Sequence, residues 1–113
     1  MKLIIAIIQP HKLEDVKSAL QREGIDRLTV IDTQGYGKQK GHTEIFRGRE
    51  YEILFTKKLQ LEILVKDTEE KDRAIKAITE AARSGNIGDG KIFVLPVEEV
   101  IRIRTGEKNE AAV

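Results

Sequence analysis

The stretch from Gly35 to Lys58, GYGKQKGHTEIFRGREYEILFTKK, limits most strongly what this chain can fold into. It holds Gly35, Gly37, Gly41 and Gly48 and the cations Lys38, Lys40, Arg47, Arg49, Lys57 and Lys58. That density of charge and glycine does not fit a packed core, where a buried charge needs a partner. The stretch occupies about a fifth of the chain. Compact domains seldom carry a connection longer than roughly 12–15 residues unless it is functional or disordered. The core must come from the segments on either side, and the stretch itself is expected to touch something.

Those segments have clear periodicities. Residues 2–8, KLIIAII, read as a buried strand that Pro10 ends. From Lys12 to Glu23, Leu13, Val16, Ala19 and Leu20 recur at helical spacing, and Gly24 supplies the stop. Leu28 to Asp32 form a second strand leading into the long loop. Leu59, Leu61, Ile63 and Val65 alternate with polar neighbours, the period of a third strand. Asp67 with Glu70 three residues on resembles a capping box, with Asp in place of Ser or Thr. The helix it opens should run to about Arg83, with Ala74, Ile75, Ala77, Ile78 and Ala81 facing inward. Gly85 ends it, IFVLPV at 92–97 is a fourth strand, and VIRIR at 100–104 is a short extended segment. The order β-α-β-β-α-β predicts an α+β, ferredoxin-like sandwich with both helices on one face of an antiparallel sheet. It forms one domain over 1–113, with an exposed loop at about 37–57 and a C-terminal tail at about 105–113.

That fold leaves one sheet face open. Yet strands one and four are apolar on both faces, where a solvated face should alternate polar and apolar. The open face is therefore expected to be covered by further copies of the chain. The plain alternative is a few exposed apolar residues on a central strand.

Composition bounds the function. The chain is 40% hydrophobic and 35% charged, so it is globular, and with 4% aromatics its core must be aliphatic. The 20 basic and 19 acidic residues nearly cancel, which argues against a dedicated nucleic-acid binder. Without cysteine there is no disulfide framework and no thiolate metal site. The apolar run Leu3–Ile8 is far too short for a signal segment or a spanning helix, so a cytoplasmic protein with no membrane insertion is expected.

The second glycine cluster, SGNIGDGKIFV at 84–94, lies between a helix end and a strand start. Glycines let successive N–H groups converge on an anion, and Lys91 beside Gly88 and Gly90 adds a point charge for phosphate. The segment nearly matches a phosphate-binding P-loop. It departs because Ile92 replaces the magnesium-binding Ser/Thr and a strand follows instead of a helix. A turn that merely needs glycine remains open on spacing alone. Arg102 and Arg104, two apart in IRIRTG, would share one face of an extended strand, which suits polyphosphate or carboxylate. They would equally suit a charged sheet edge. In GYGKQKG, Gln39 is the one candidate metal ligand. His11 and His42 read as surface histidines. No Ser/His/Asp constellation and no paired carboxylates stand out, so an enzyme is not expected.

Three of these segments, QGYGKQKGHTEIFRGREY, SGNIGDGKIFVLPV and VIRIRTGE, come in the order and on the elements that resemble the PII signal-transduction family of nitrogen and carbon sensors. The resemblance covers nearly the whole chain. It implies a homotrimer with its sheets inward, ATP or ADP in the clefts between subunits, and a long loop equivalent to the family's T-loop. It implies that Gly88, Gly90, Lys91, Arg102, Arg104 and Lys38 hold phosphates, and that Thr29, Gly35, Gly37, Glu62 and Leu64 line the nucleotide site. It further implies a 2-oxoglutarate site in which Gln39 ligates a magnesium ion carried by ATP and Lys58 meets the distal carboxylate. Partners implied are an ammonium channel, with Arg47 as a plug, and enzymes or kinases of glutamine synthesis. Tyr51, between Glu50 and Glu52, corresponds to the family's modified tyrosine, a target for a nucleotidylyltransferase. An aromatic packed against Phe46 or Phe55 is the alternative there. Phe46 stands where the family usually has Tyr, Arg49 where it has a small residue, and the second helix carries one extra residue. The competing functions are a small ATPase or phosphotransferase in the same cleft, which lacks a general base, and a relative with a changed ligand set, against which Gln39 and Lys58 stand.

Overall fold

The structure, a computed structural model, describes residues 1–36 and 55–113, and the backbone of residues 43–46 and 49–52. Its elements are β1 (Lys2–Ile8), α1 (Leu13–Arg22), β2 (Thr29–Tyr36), β3 (Thr43–Phe46), β4 (Arg49–Glu52), β5 (Phe55–Val65), α2 (Thr68–Ala82) and β6 (Lys91–Pro96), with 3-10 turns at Pro10–Lys12 and Asn109–Ala112. The four-stranded sheet runs β2-β5-β1-β6, and each neighbouring pair is antiparallel. This is the predicted ferredoxin-like order, with β5 and β6 as the expected third and fourth strands.

β1 is paired along its length on both sides, so its backbone groups are satisfied and its side chains decide the layering. Ile4, Ala6 and Ile8 are buried under the helices with Leu61, Ile63 and Val65 of β5. α1 adds Val16, Ala19 and Leu20, and α2 adds Ala74, Ala77, Ile78 and Ala82. Ile75 and Ala81, also expected inside, pack at the margin of this core.

α1 ends as its glycine predicts, whereas α2 already ends at Ala82, where Arg83 turns extended ahead of Gly85. At the end of α1, Gly24 takes φ 77°. Gly24 N–H donates to Gln21 O at 3.0 Å and Ile25 N–H to Leu20 O at 2.9 Å. This is a Schellman closure, and buried Ile25 and Leu20 supply its apolar contact. α2 begins with the Asp67 carboxylate accepting from Glu70 N–H at 2.8 Å. Glu70 does not return the bond to Asp67. It accepts from Lys66 N–H at 3.1 Å and from Arg27 Nη2 at 2.8 Å, and is only 5% exposed.

Two stretches differ from expectation. β2 runs on to Tyr36 and β5 starts at Phe55, inside the range expected for the loop. The last pair, Tyr36 opposite Phe55, brings the rings to 5.3 Å between centroids, a cross-strand aromatic contact that supports the longer ladder. Between them, β3 and β4 pair antiparallel from Thr43 opposite Glu52 to Phe46 opposite Arg49. The segment 100–104, expected to be extended, makes only an isolated bridge from Ile101 to Lys108. Residues 103–105 turn, because Gly106 at φ 73° lets its N–H close onto Arg102 O at 2.7 Å.

Glu70 ties three elements together and should titrate with stability. Burial opposes its charge, but the Lys66 N–H and the Arg27 guanidinium outweigh burial and hold the carboxyl below its ordinary value. A depressed carboxyl stabilises above its unfolded pKa of about 4, and that contribution is lost as pH falls through the folded value. Glu70→Gln should lose about 1–3 kcal/mol at neutral pH. Urea unfolding at fixed protein concentration should show the gap to wild type closing as the pH drops below 4. A gap that stays constant with pH would mean that the charge of Glu70 does not matter.

Candidate functional site

The turn from Ser84 to Gly90 is built by one carboxylate. Asp89 accepts from Ser84 N–H at 2.8 Å, from Gly85 N–H at 2.9 Å and from the Ser84 hydroxyl. The Ser84 hydroxyl and these two N–H groups hold its pKa below the ordinary value, aided by the charge of Lys12. Asp89 is therefore folded back onto its own turn and shapes it. Gly88 and Gly90 lie at φ 98° and 104°. A Cβ on Gly90 would sit 1.7 Å from Ile7 O, so the turn lies flush against β1. Lys91 then starts β6 opposite Ile7. On the helix side, Gly90 and Lys91 border a cavity of about 370 Å³ with Ile8, Ile78 and Ala82 on its wall.

Lys58 joins the long loop to this turn. It lies one residue past the Ile8–Leu59 pair, where β1 has ended and no longer separates it from residues 84–90. It is 7% exposed, and Nζ donates to Gly88 O. Its stem passes Gly35, where an added Cβ would meet Lys58 Cγ at 3.7 Å. Burial pushes its pKa down, and the charge of Asp89 pushes partly back. Beside it, Pro10, Asp32, Thr33, Gln34 and Lys57 line a further cavity of about 350 Å³.

Thr29, Glu62 and Leu64 also come together, with Leu3, Arg27 and Leu28, around a cavity of about 380 Å³. Thr29 and Glu62 face each other across β2 and β5. Arg27 escaped the sequence analysis, since an arginine ahead of a strand reads as solvated. Its Nη2 donates to Leu64 O at 3.1 Å as well as to Glu70.

Arg102 and Arg104 do not share the face of a strand. They sit on a hairpin whose turn falls at residues 103–105. The turn signal was present in Thr105-Gly106, immediately after the paired arginines. Gly37, Lys38, Gln39 and Arg47 lie outside the described residues. Tyr51 is opposite Glu44 in the β3–β4 ladder, and its side chain lies outside the described residues. Among the described residues no cluster of His, Asp and Glu could hold a metal ion.

The register sorts the candidates into two groups. Gly35, Lys58, Gly88, Gly90 and Lys91 gather at the Ile7–Ile8 end of the sheet. Thr29, Glu62 and Leu64 lie towards the Lys2 end, with Leu64 opposite Leu3. The chain leaves the sheet for Arg102 at that same end, where Val97 N–H donates to Met1 O at 3.1 Å. Leu3 and Ile7 are about 13 Å apart along β1.

Residues 1–107 match the family described as Nitrogen regulatory protein P-II. The chain belongs to the P-II family. Relatives that bear the name Nitrogen regulatory protein P-II align over the full length of both chains. Those of Azospirillum brasilense, Pasteurella multocida and Rhizobium etli are 55%, 56% and 52% identical to it. The P-II relatives are named as regulators.

Gly90 offers a direct test of the turn. Gly90→Ala would drive a methyl into the Ile7 carbonyl at a backbone angle that disfavours any side chain. Strain and overpacking together should destabilise by about 3 kcal/mol or more. Thermal unfolding should show a large drop in midpoint. A near-wild-type midpoint would mean that the turn does not sit against β1.

Proposed function

We propose that this P-II chain is a non-enzymatic sensor that binds ATP or ADP between the subunits of a homotrimer. With ATP and Mg²⁺ it binds 2-oxoglutarate, and the conformation of residues 37–57 sets which partners it regulates. The observation that carries this reading is the division of the candidates between the two ends of the sheet. One nucleotide needs both a phosphate turn and a base pocket, and a single chain holds them apart. A second copy, laid against the open sheet face, can bring one chain's Gly88, Gly90 and Lys91 towards another's Thr29, Glu62, Leu64, Arg102 and Arg104. The apolar open face, with Leu3, Ile5 and Ile7 half-buried and Phe93 49% exposed, supports such packing. The cavity at Thr29 and Glu62 is within the size range of small-molecule sites.

In this reading Gly35, Gly37 and Lys38 complete the nucleotide site. Gln39 ligates the Mg²⁺, and Lys58 turns its ammonium from Gly88 O towards the distal carboxylate of 2-oxoglutarate. The ion, when bound, supplies a positive bridge between the triphosphate and the 2-oxo acid. Partners bind one shape of the loop better than another, which is all a ligand-operated switch requires. The proposed partners are an ammonium channel, approached by Arg47, and enzymes or kinases of glutamine synthesis. Tyr51 is the proposed site for a nucleotidylyltransferase. The proposed compartment is the cytoplasm; among the described residues no helix is long and apolar enough to cross a membrane.

Light scattering should give about three times 12.8 kDa. ATP and ADP should compete in calorimetry. Lys91→Ala should weaken both by about 1.5–3 kcal/mol, the range of a charge-assisted bond. A monomer at micromolar concentration, or unchanged affinity in Lys91→Ala, would remove the intersubunit phosphate site.

The 2-oxoglutarate step has its own signature. Binding should require Mg-ATP, fail with ADP and vanish in Gln39→Ala. Because burial lowers the pKa of Lys58, its charge is lost at a lower pH than that of an ordinary lysine. Affinity for the dicarboxylate should therefore fall as pH rises, starting below the usual lysine value of about 10.4. Titration across alkaline pH checks this. Equal affinity with either nucleotide, or no alkaline loss, contradicts the assigned roles.

A further inference from the structure

We propose that Glu107 competes with nucleotide phosphate for Arg102 and thereby sets the affinity of the nucleotide site; this rests on the reading of Arg102 as a phosphate ligand. Arg102 Nη1 donates to Glu107 Oε1 at 3.3 Å across the C-terminal hairpin. The side chains are 39% and 44% exposed, so an incoming anion can reach the pair.

The hairpin closes without this contact. Arg102 N–H donates to Glu107 O at 2.9 Å, Gly106 N–H to Arg102 O at 2.7 Å, and Asn109 N–H to Val100 O at 2.8 Å. Asn109 Oδ1 accepts from Val100 N–H at 3.3 Å, and Thr105 Oγ1 accepts from Glu107 N–H at 3.2 Å. The backbone thus places residue 107 opposite Arg102 whether or not the ion pair forms. Exposed pairs of this kind shift a folding equilibrium by less than about five-fold. Their effect on an anion site is more direct. A carboxylate and a phosphate oxygen are drawn to the same set of guanidinium N–H donors. Binding a nucleotide must either release Arg102 from Glu107 or place the phosphate beside a like charge, and both weaken it. Among the described residues, Arg102 is the only one of Lys91, Arg102 and Arg104 with a carboxylate partner.

ATP is titrated by calorimetry into the full chain as wild type, Glu107→Gln, Arg102→Ala and the double variant. Glu110→Gln serves as a control for loss of one nearby negative charge. Glu107→Gln should tighten ATP by about two- to five-fold. The gain should disappear in the Arg102→Ala background and be absent in Glu110→Gln. If wild type binds ATP and Glu107→Gln binds it equally or more weakly, the competition is overturned while the nucleotide reading stands. A gain that persists without Arg102, or that Glu110→Gln matches, is a general charge effect and also overturns it. If neither wild type nor Glu107→Gln binds ATP, the nucleotide reading fails and the competition fails with it.

Discussion

β1 has two apolar faces, and the helices of the chain cover only one of them. It is a central strand of almost purely apolar residues, hydrogen-bonded on both edges, so each of its faces needs a cover. The helices cover Ile4, Ala6 and Ile8. Leu3, Ile5 and Ile7 face the other way, in register with Leu95, Phe93 and Lys91 of β6. Burying one large apolar side chain fully is worth about 1.5–3 kcal/mol. Several such side chains left half-covered represent a sizeable part of the roughly 5–15 kcal/mol by which a small domain is stable. The open face therefore accounts for both the proposed assembly and the place of the proposed ligand site, at the margins where one sheet meets the next.

Antiparallel pairing fixes what that assembly must do. Because β6 returns along β1, Lys91 and Val97 lie at opposite ends of the sheet. The glycine turn at 84–90 enters at one end, and the chain departs towards Arg102 at the other. In the proposed assembly, a site that uses both groups would report on the relation between subunits.

The periodic part of the fold was legible in the sequence. Apolar alternation at Leu59–Val65, helical spacing at Val16, Ala19 and Leu20, and the stop at Gly24 each express a local rule, and each element appears where the rule puts it. The two differences arose where a local signal had a competitor. Charge and glycine concealed that Tyr36 and Phe55 could extend a ladder across the loop base. Ile-Arg alternation concealed the turn that Gly106 permits. At the site, composition pointed to glycines and cations but not to their partners. Asp89 reads as a surface acid between two glycines, yet its bonds to Ser84 and Gly85 shape the turn. The roles of Arg27 and Glu70 depend on contacts 43 residues apart, which no periodicity reveals.

Lys58 shows how such a turn can be coupled to a distant loop. Its ammonium is held by a carbonyl, which is a weaker partner than an anion. The neighbouring Asp89 carboxylate is already engaged by two N–H groups and a hydroxyl, so it serves Lys58 as a nearby charge and not as a contact. A buried cation without a carboxylate of its own is expensive to maintain. An external carboxylate arriving near Gly88 would relieve that cost and draw Lys58 from the turn. Lys58 lies in β5 opposite Thr33 of β2, on the two strands that flank residues 37–54. In the proposed switch, relief of the desolvation of Lys58 would favour the liganded arrangement.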